Sequence, residues 1–458
     1  MATEKNQKII IDIVDISAEG TGVGRHEGMA IFVSGAAIGD KVEVLIIKAK
    51  KNYAIGKIER IIKPSKDRIE NDCPAFPSCG GCAFRHISYD AEKKHKESRV
   101  SEAFRRIGHL DVELNPIITG SQYAYRNKAQ YPVRMQNGRL AIGFFATRSH
   151  RVINCLDCKL QPTEFSGILK TIRKWLLSHP VTIYNEETKK GIVRHIYLRK
   201  AFTTGEIMVC MVINNPSLPS SKSLVEALIA ENENIKTVVL NINTEDTNVI
   251  LGDTCKNIYG DGYITDILCG KKIILSPLSF YQVNHDAAEK LYAKAGEYAA
   301  LTGNEIVLDL YCGTGTIGLS LAEKCKRLMG VEIIPEAVKD ARKNAELNNI
   351  TNADFVCADA ALITQKLIDE GVKPDVIIVD PPRKGLDAEV IDSIVTLAPK
   401  RLVYVSCDPA TLARDLKILT DKDYEIKDST PIDMFPRTVH VETVVLLSKL
   451  DVDKVYKR

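Results

Sequence analysis

The sequence predicts an α/β chain: a doubly wound, mostly parallel sheet in its C-terminal part, a small β-barrel at its start, and a mixed α+β region between. Three observations predict this. From Lys272 onward, short apolar runs alternate regularly with helical stretches, the pattern of strands joined by crossover helices. Residues 8–64 hold closely spaced β-type runs broken by Gly20, Gly22, Gly24, Gly28 and Gly39, as in a small barrel. The 458 residues also exceed one ordinary core, so two or three domains are expected.

The barrel strands are read at Ile9-Ile10-Ile11, Ile31-Phe32-Val33, Val42-Glu43-Val44 and Ile58-Glu59-Arg60-Ile61, and Pro64-Ser65-Lys66-Asp67-Arg68 reads as a linker. The middle region mixes periods. Strands are expected at Lys128–Val133, Val193–Arg199 and Ile207–Ile213, and helices at Phe165–Leu177 and Ser221–Glu231. In the C-terminal part the strands are Glu305–Leu310, Arg327–Val331, Asp354–Val356, Val376–Val379, Arg401–Val405 and Val439–Leu447. The helices are Ile317–Lys324, Pro335–Asn348, Ala388–Leu397 and Thr411–Leu419. This divides the chain into 1–65, 66–270 and 271–458, with part of 86–120 expected to pack with the last domain.

Hydrophobic content of 45% and charged content of 26% suit a soluble globular chain. No apolar run approaches the roughly 18–20 residues of a membrane span, and Met1 to Lys8 is too polar for a signal peptide. A cytoplasmic protein with no membrane partner is expected, its 12 cysteines unpaired as disulfides. The net charge of +3 hides an asymmetry. Residues 51–200 carry 28 Lys and Arg against 14 Asp and Glu, whereas residues 201–458 carry 28 against 38. A basic block on a near-neutral chain points to a polyanion, although a solvated basic surface would read the same.

Val307-Leu308-Asp309-Leu310-Tyr311-Cys312-Gly313-Thr314-Gly315-Thr316-Ile317-Gly318 reads as strand, Gly-rich turn and helix start. Such a turn lets backbone approach a ligand closely, but by itself would equally suit a dinucleotide. Asp309-Leu310 before the glycines, and Val331-Glu332 closing the next strand with a carboxylate for ribose hydroxyls, look instead like a fold that binds S-adenosylmethionine (SAM). Strand Val376–Val379 runs into Asp380-Pro381-Pro382-Arg383. Enzymes that methylate planar amines carry an aromatic residue at the fourth position, and Arg383 argues against an amine acceptor.

The next strand delivers Ser406-Cys407-Asp408-Pro409 to the same edge. Carbon 5 of uracil is too weak a nucleophile to attack a sulfonium methyl unaided. Addition of a thiolate at carbon 6 creates an enolate with electron density on carbon 5, and a base must then remove the carbon-5 proton. Cys407 is the candidate nucleophile and Glu442, in Val439-His440-Val441-Glu442, the candidate base, with His440 as rival. Read alone, Cys407 would pass for a buried strand-end cysteine. Further back, Cys73-x5-Cys79-Gly-Gly-Cys82 reads as a metal or cluster site whose fourth ligand is remote, in Asn154-Cys155-Leu156-Asp157-Cys158. Two C-x2-C knuckles suit zinc and C-x5-C-x2-C suits iron–sulfur; spacing leaves the two open.

Taken together, these residues resemble the bacterial RNA uracil-5-methyltransferases over nearly the whole chain, in particular the 23S rRNA branch with an N-terminal TRAM domain and a [4Fe-4S] cluster. Ala18-Glu19-Gly20-Thr21-Gly22-Val23-Gly24 looks like the TRAM barrel, an oligonucleotide-binding module. Tyr125-Arg126-Asn127-Lys128 and Val193-Arg194-His195 match central signatures, and Ser279-Phe280-Tyr281-Gln282-Val283-Asn284 is similar to the family's Phe-x-Gln-x-Asn segment. The resemblance implies Gln282, Tyr311, Glu332 and Asp380 as SAM-site residues, Cys407 as nucleophile and Glu442 as proton acceptor. It also implies Cys73, Cys79, Cys82 and Cys158 as cluster ligands, with Cys155 an extra cysteine. Many members have Asn where this chain has Asp408.

The implied substrate is an unpaired or flipped-out uridine in a loop of 23S rRNA, with no DNA partner and a monomeric enzyme. The tRNA branch is shorter and without barrel or cluster cysteines. Methylation of a tRNA uridine, or of a cytosine or amine, and a non-catalytic RNA-binding or assembly factor keeping the fold, are the alternatives.

Overall fold

The computed structural model describes residues 4–450. The chain forms β1 (Lys8–Ile16), β2 (Gly22–His26), β3 (Met29–Val33), β4 (Lys41–Ala49), β5 (Tyr53–Lys63) and α1 (Tyr89–Ala103). It continues with β6 (Ile118–Thr119), β7 (Lys128–Gln136), β8 (Arg139–Phe145), β9 (Val152–Asn154), α2 (Glu164–Ser178), β10 (Val193–Lys200), β11 (Ile207–Ile213) and α3 (Ser221–Glu231). Then come β12 (Ile235–Ile242), β13 (Thr254–Tyr259), β14 (Ile264–Leu268), β15 (Lys271–Leu275) and α4 (His285–Ala299). The last stretch holds β16 (Ile306–Leu310), α5 (Thr316–Leu321), β17 (Arg327–Glu332), α6 (Pro335–Leu347), β18 (Ala353–Cys357) and α7 (Ala360–Asp369). It closes with β19 (Val376–Val379), α8 (Ala388–Leu397), β20 (Arg401–Ser406), α9 (Pro409–Thr420), β21 (Tyr424–Asp433) and β22 (Glu442–Lys449).

Two compact units result. The first takes in the chain to Arg99 with Gly143–Cys155 and Phe435–His440; the second holds the rest. In the first, β1 to β5 close a barrel in the order β1-β2-β3-β5-β4. Along β1 buried and exposed residues alternate, as a strand with one wet face requires. Ile9, Ile11, Ile13, Ile31, Val33, Val42, Val44 and Ile46 fill the interior. The expected barrel is present, but β2 was not among the expected strands. Its glycines read as turns in the sequence, whereas Gly22–His26 is a paired strand.

In the second unit, one sheet runs β13-β12-β11-β10-β7 and on to Arg139–Ile142 of β8, and within the first unit Gly143–Phe145 of β8 pairs with β9. Strands β10 and β11 are buried along almost their whole length. The other sheet has the order β18-β17-β16-β19-β20-β22-β21-β6. Neighbours from β18 to β20 are parallel, and β22 runs antiparallel to both β20 and β21. The expected parallel sheet is therefore closed by an antiparallel pair. Strand order reverses at β16, so the loops after β16, β17 and β19 open at one edge, the place where such sheets bind ligands. The core under that edge gathers Leu308, Leu310, Val379, Tyr404, Leu412 and Val445, with Val100 and Phe104 from α1 and the turn after it.

Candidate active site

Strand β16 ends in a charge inside an apolar run. Asp309 is fully buried and its Oδ2 accepts from Gly318 N at 3.0 Å, tying the strand to the first turn of α5. A Cβ on Gly318 would lie 2.7 Å from that oxygen, so the helix can come this close only with glycine there. Its other oxygen, Oδ1, is buried with no hydrogen-bond partner among the described residues. Burial and the carboxylates of Asp380 and Glu332 push Asp309 up to about 8, against the Gly318 N–H. The turn from the strand to α5 puts Tyr311 at φ +63°, a left-handed conformation that a tyrosine adopts at a cost.

At the end of β17, Glu332 is half-buried and aimed at the same turn. Its Oε2 accepts from Gly313 N at 3.1 Å and its Oε1 from Ile334 N at 2.9 Å. Asn344 on α6 donates to Thr314 O at 3.2 Å, completing a fixed Gly-rich cradle. Gln282 lies half-buried in the segment leading to α4. Asn127 pins that segment twice, through its Nδ2 on Gln282 O at 2.7 Å and its backbone N on Val283 O at 2.8 Å. Tyr281 donates its hydroxyl to buried Asp266 at 3.1 Å, and Asn284 caps α4 by accepting from Ala287 N.

β19 and β20 are neighbours in register, with Val379 opposite Tyr404. The residues that follow them leave the sheet at the same edge. Asp380 is raised to about 7 by burial. Cys407 is half-buried, and burial, Glu442 and Asp380 push its thiol up to about 11, with Arg383 opposing and Asp408 adding a little. Asp408 has a task of its own. Its Oδ1 accepts from Ala410 N at 2.9 Å and Thr411 N at 3.1 Å, capping α9 with Pro409 in the first turn. An asparagine would cap as well, which accounts for the residue found there.

Glu442 opens β22 beside β20, 4% exposed. Burial and Asp380 raise it to about 8 while Arg383 works the other way. Cys407 and Glu442 thus both feel Asp380 and Arg383 electrostatically, and Asp309, beside the Gly-rich turn, feels Asp380 and Glu332. His440, the rival base, lies in the Phe435–His440 segment of the first unit, its ring edge-on to Phe435 at 5.9 Å. Asp309 and Asn127 stand in motifs the sequence shows, but the tie of Asp309 to Gly318, the hold of Asn127 on Gln282 and Val283, and the counter-charge role of Arg383 are found only in the structure. The signal for Asp309 was present, as a lone charge inside Val307–Leu310.

The cysteines fall in both units. Cys73, Cys79 and Cys82 are half-buried on one loop, where Cys79 N donates to Ala75 O at 2.8 Å and Gly81 N to Cys79 Sγ at 3.4 Å. Cys155 belongs to the first unit and Cys158 to the second. Among the described residues, no three His, Cys, Asp or Glu side chains gather as ligands of a single metal ion. None of the described helices is long and apolar enough to cross a membrane.

Comparison with known proteins follows this geometry. Residues 88–450 match the family described as tRNA (Uracil-5-)-methyltransferase, and residues 2–58 match the TRAM domain. A protein of Clostridium tetani named "Uncharacterized RNA methyltransferase" is 42% identical over 446 residues, 97% of each chain. One of Clostridium acetobutylicum, also named an uncharacterized RNA methyltransferase, is 43% identical over 452 residues, 98% of each. Among solved structures, Pyrococcus abyssi tRNA (uracil-54, C5)-methyltransferase in complex with S-adenosyl-L-homocysteine is similar with a TM-score of 0.79 at 26% identity. The match covers 96% of this chain and 100% of that one.

Proposed function

The chain belongs to the RNA uracil-5-methyltransferase family, a SAM-dependent enzyme with a TRAM domain, and on that premise we propose that it methylates carbon 5 of uridine in 23S rRNA through a covalent adduct of Cys407. The observation that carries the chemistry is the meeting of Cys407, Glu442 and Asp380 at one sheet edge, next to the Gly313–Gly318 cradle. The Cys407 thiolate adds to carbon 6 of a uracil turned out of its stack. Carbon 5, now electron-rich, takes the methyl group that SAM supplies. Glu442 then accepts the carbon-5 proton, the ring regains its double bond and the thiolate leaves. Gln282, Tyr311, Glu332 and Asp380 hold SAM in this reading. The three-part division at residues 65 and 270 goes with it, the barrel and basic middle region gripping RNA phosphates.

The cluster belongs to the same proposal. Cys73, Cys79, Cys82 and Cys158 would hold a [4Fe-4S] group that shapes the RNA-binding part without a redox step. The assignment rests on the resemblance; the Gly81 N–H on Cys79 Sγ would suit a thiolate bound to iron or to zinc alike. Anaerobically purified protein should contain about four iron and four sulfide per chain; one zinc and no sulfide would overturn the assignment.

A tRNA uridine is the second reading, favoured by one observation. The archaeal tRNA enzyme matches 96% of this chain, so a barrel does not by itself separate rRNA from tRNA enzymes. The experiment mixes protein and SAM with 5-fluorouracil-substituted 23S rRNA fragments or tRNA, in which proton loss from carbon 5 is blocked. An adduct on Cys407 should build up with an rRNA fragment and vanish in Cys407→Ala. Adduct with tRNA alone would move the substrate, and adduct with neither would sink the mechanism.

A further inference from the structure

One buried charge beside the site takes no part in the chemistry above. Asp415, on α9, is fully buried. Its Oδ2 accepts from Leu386 N at 2.8 Å and from the Tyr404 hydroxyl at 2.7 Å, and its Oδ1 accepts from Arg414 Nε at 2.8 Å. Arg414 extends the hold by donating Nη2 to Lys384 O at 2.8 Å. Lys384 and Leu386 belong to the turn after Asp380, which Gly385 N closes onto Pro382 O at 2.9 Å. Tyr404 belongs to β20, the strand that leads directly into Cys407. A single carboxylate therefore joins the turn that carries Asp380 and Arg383 to the strand that carries the thiol.

The fit is close. Gly385 has φ +77°, and a Cβ there would lie 2.5 Å from Asp415 Oδ2 and 2.6 Å from Arg414 Nη2. Core stability alone is a poor reason for this arrangement, because well-packed apolar residues commonly hold helix to strand as well as a buried charge pair does. What an apolar contact lacks is direction: three donors converging on one carboxylate fix the turn in register with the strand.

We infer that Asp415 is a positioning residue for methyl transfer, whose carboxylate locks the Pro382–Leu386 turn to β20 and so sets Asp380 and Arg383 relative to the Cys407 thiol. The inference rests on Cys407 being the nucleophile. The charged groups acting on that thiol are Glu442 from β22, Asp380 and Arg383 from the turn, and Asp408 from the head of α9. Arg383 is the cation among them, so loosening the turn weakens the one influence that favours the thiolate.

The test compares Asp415→Asn with wild type in two assays. In single-turnover methylation at saturating SAM the rate should fall about 10- to 100-fold, the scale of a misplacement near 1 Å, with RNA affinity within about two-fold. In the absence of RNA, the pH profile of Cys407 alkylation, followed by peptide mass spectrometry, should move to higher pH. A folded variant with wild-type rate and an unmoved profile would overturn the role, as would a loss of thermal stability alone. Should Asp415→Asn not fold, Gly385→Ala displaces the turn while keeping every charge; an unchanged rate and profile there would overturn it equally. Because alkylation needs no RNA, a moved profile in a protein that forms no RNA adduct would count against the proposed reaction and not against the latch.

Discussion

Asp40 in the barrel and Glu442 at the head of β22 are both withdrawn from water, 0% and 4% exposed, yet their carboxyls are driven in opposite directions. Asp40 accepts from Ala37 N at 2.6 Å, Ser65 N at 2.8 Å, Arg68 Nε at 2.8 Å and Arg68 Nη2 at 2.7 Å. Burial works against its charge, but these donors more than offset it, and Asp40 is held below the usual carboxylate range. Glu442 sits among Asp380 and Cys407 with Arg383 as its counter-charge, and is pushed up to about 8. Burial is common to both. Where donors accompany it, the charge holds the fold; where they do not, the group keeps a high proton affinity, which a base needs.

Removing Glu442 is the harshest test of that contrast. Glu442→Gln keeps the shape and deletes the proposed base, so turnover should fall by about 10²- to 10⁴-fold. Methylated RNA should remain covalently attached to Cys407, visible as a protein–RNA band on a denaturing gel. The wild-type rate should climb with pH through about 8, where Glu442 loses its proton, and the residual rate of the variant should lack that limb. Full turnover in Glu442→Gln would return the role to another group.

Asp40→Asn should leave the methylation step alone and weaken the barrel. It removes the charge facing Arg68 and one of the acceptors, a cost of about 2–4 kcal/mol in unfolding by denaturant. The pH sense follows from the lowered value. Asp40 contributes its stability above about 3.8, its ordinary value, and loses it as pH falls through the lower folded-state value. Wild type and variant should therefore converge in acid. A variant equally stable at pH 7 would mean that the Ala37 and Ser65 N–H groups find other partners.

The same contrast separates what the sequence discloses from what it conceals. Strands β16, β19 and β20 are legible because both their faces are covered, so they appear as unbroken apolar runs with reactive residues just past their ends. Asp380 and Cys407 could be placed at one edge on that ground alone. Strand β2 was missed because Gly22 and Gly24 read as turns. Strand β21 was missed because Asp428 and Pro431 hide an edge-side strand that only β22 and β6 reveal. Asp415 was invisible for a different reason. On its helix it looks like a solvated charge in Ala-Arg-Asp, and its burial depends on a turn about 30 residues earlier folding over it. Local pattern carries periodicity and strand ends; it does not carry which charges distant segments will enclose.

The smallest effect expected is also the one that most directly measures the cost of the site. A carboxyl whose folded-state value lies above its ordinary 4.5 favours the fold fully below that value, and the benefit drains away as pH rises through about 8. Wild type should thus lose stability across that window through Glu442, and Glu442→Gln, which cannot ionise, should not. The variant should match wild type near pH 4.5 and exceed it by a margin that widens up to about pH 8 and then holds. Thermal melts at the two pH values, read as the difference between the proteins, isolate this term from the rest of the titration. If the gap does not open with pH, Glu442 is not storing proton affinity, and its pairing with Cys407 would have to be explained by shape alone.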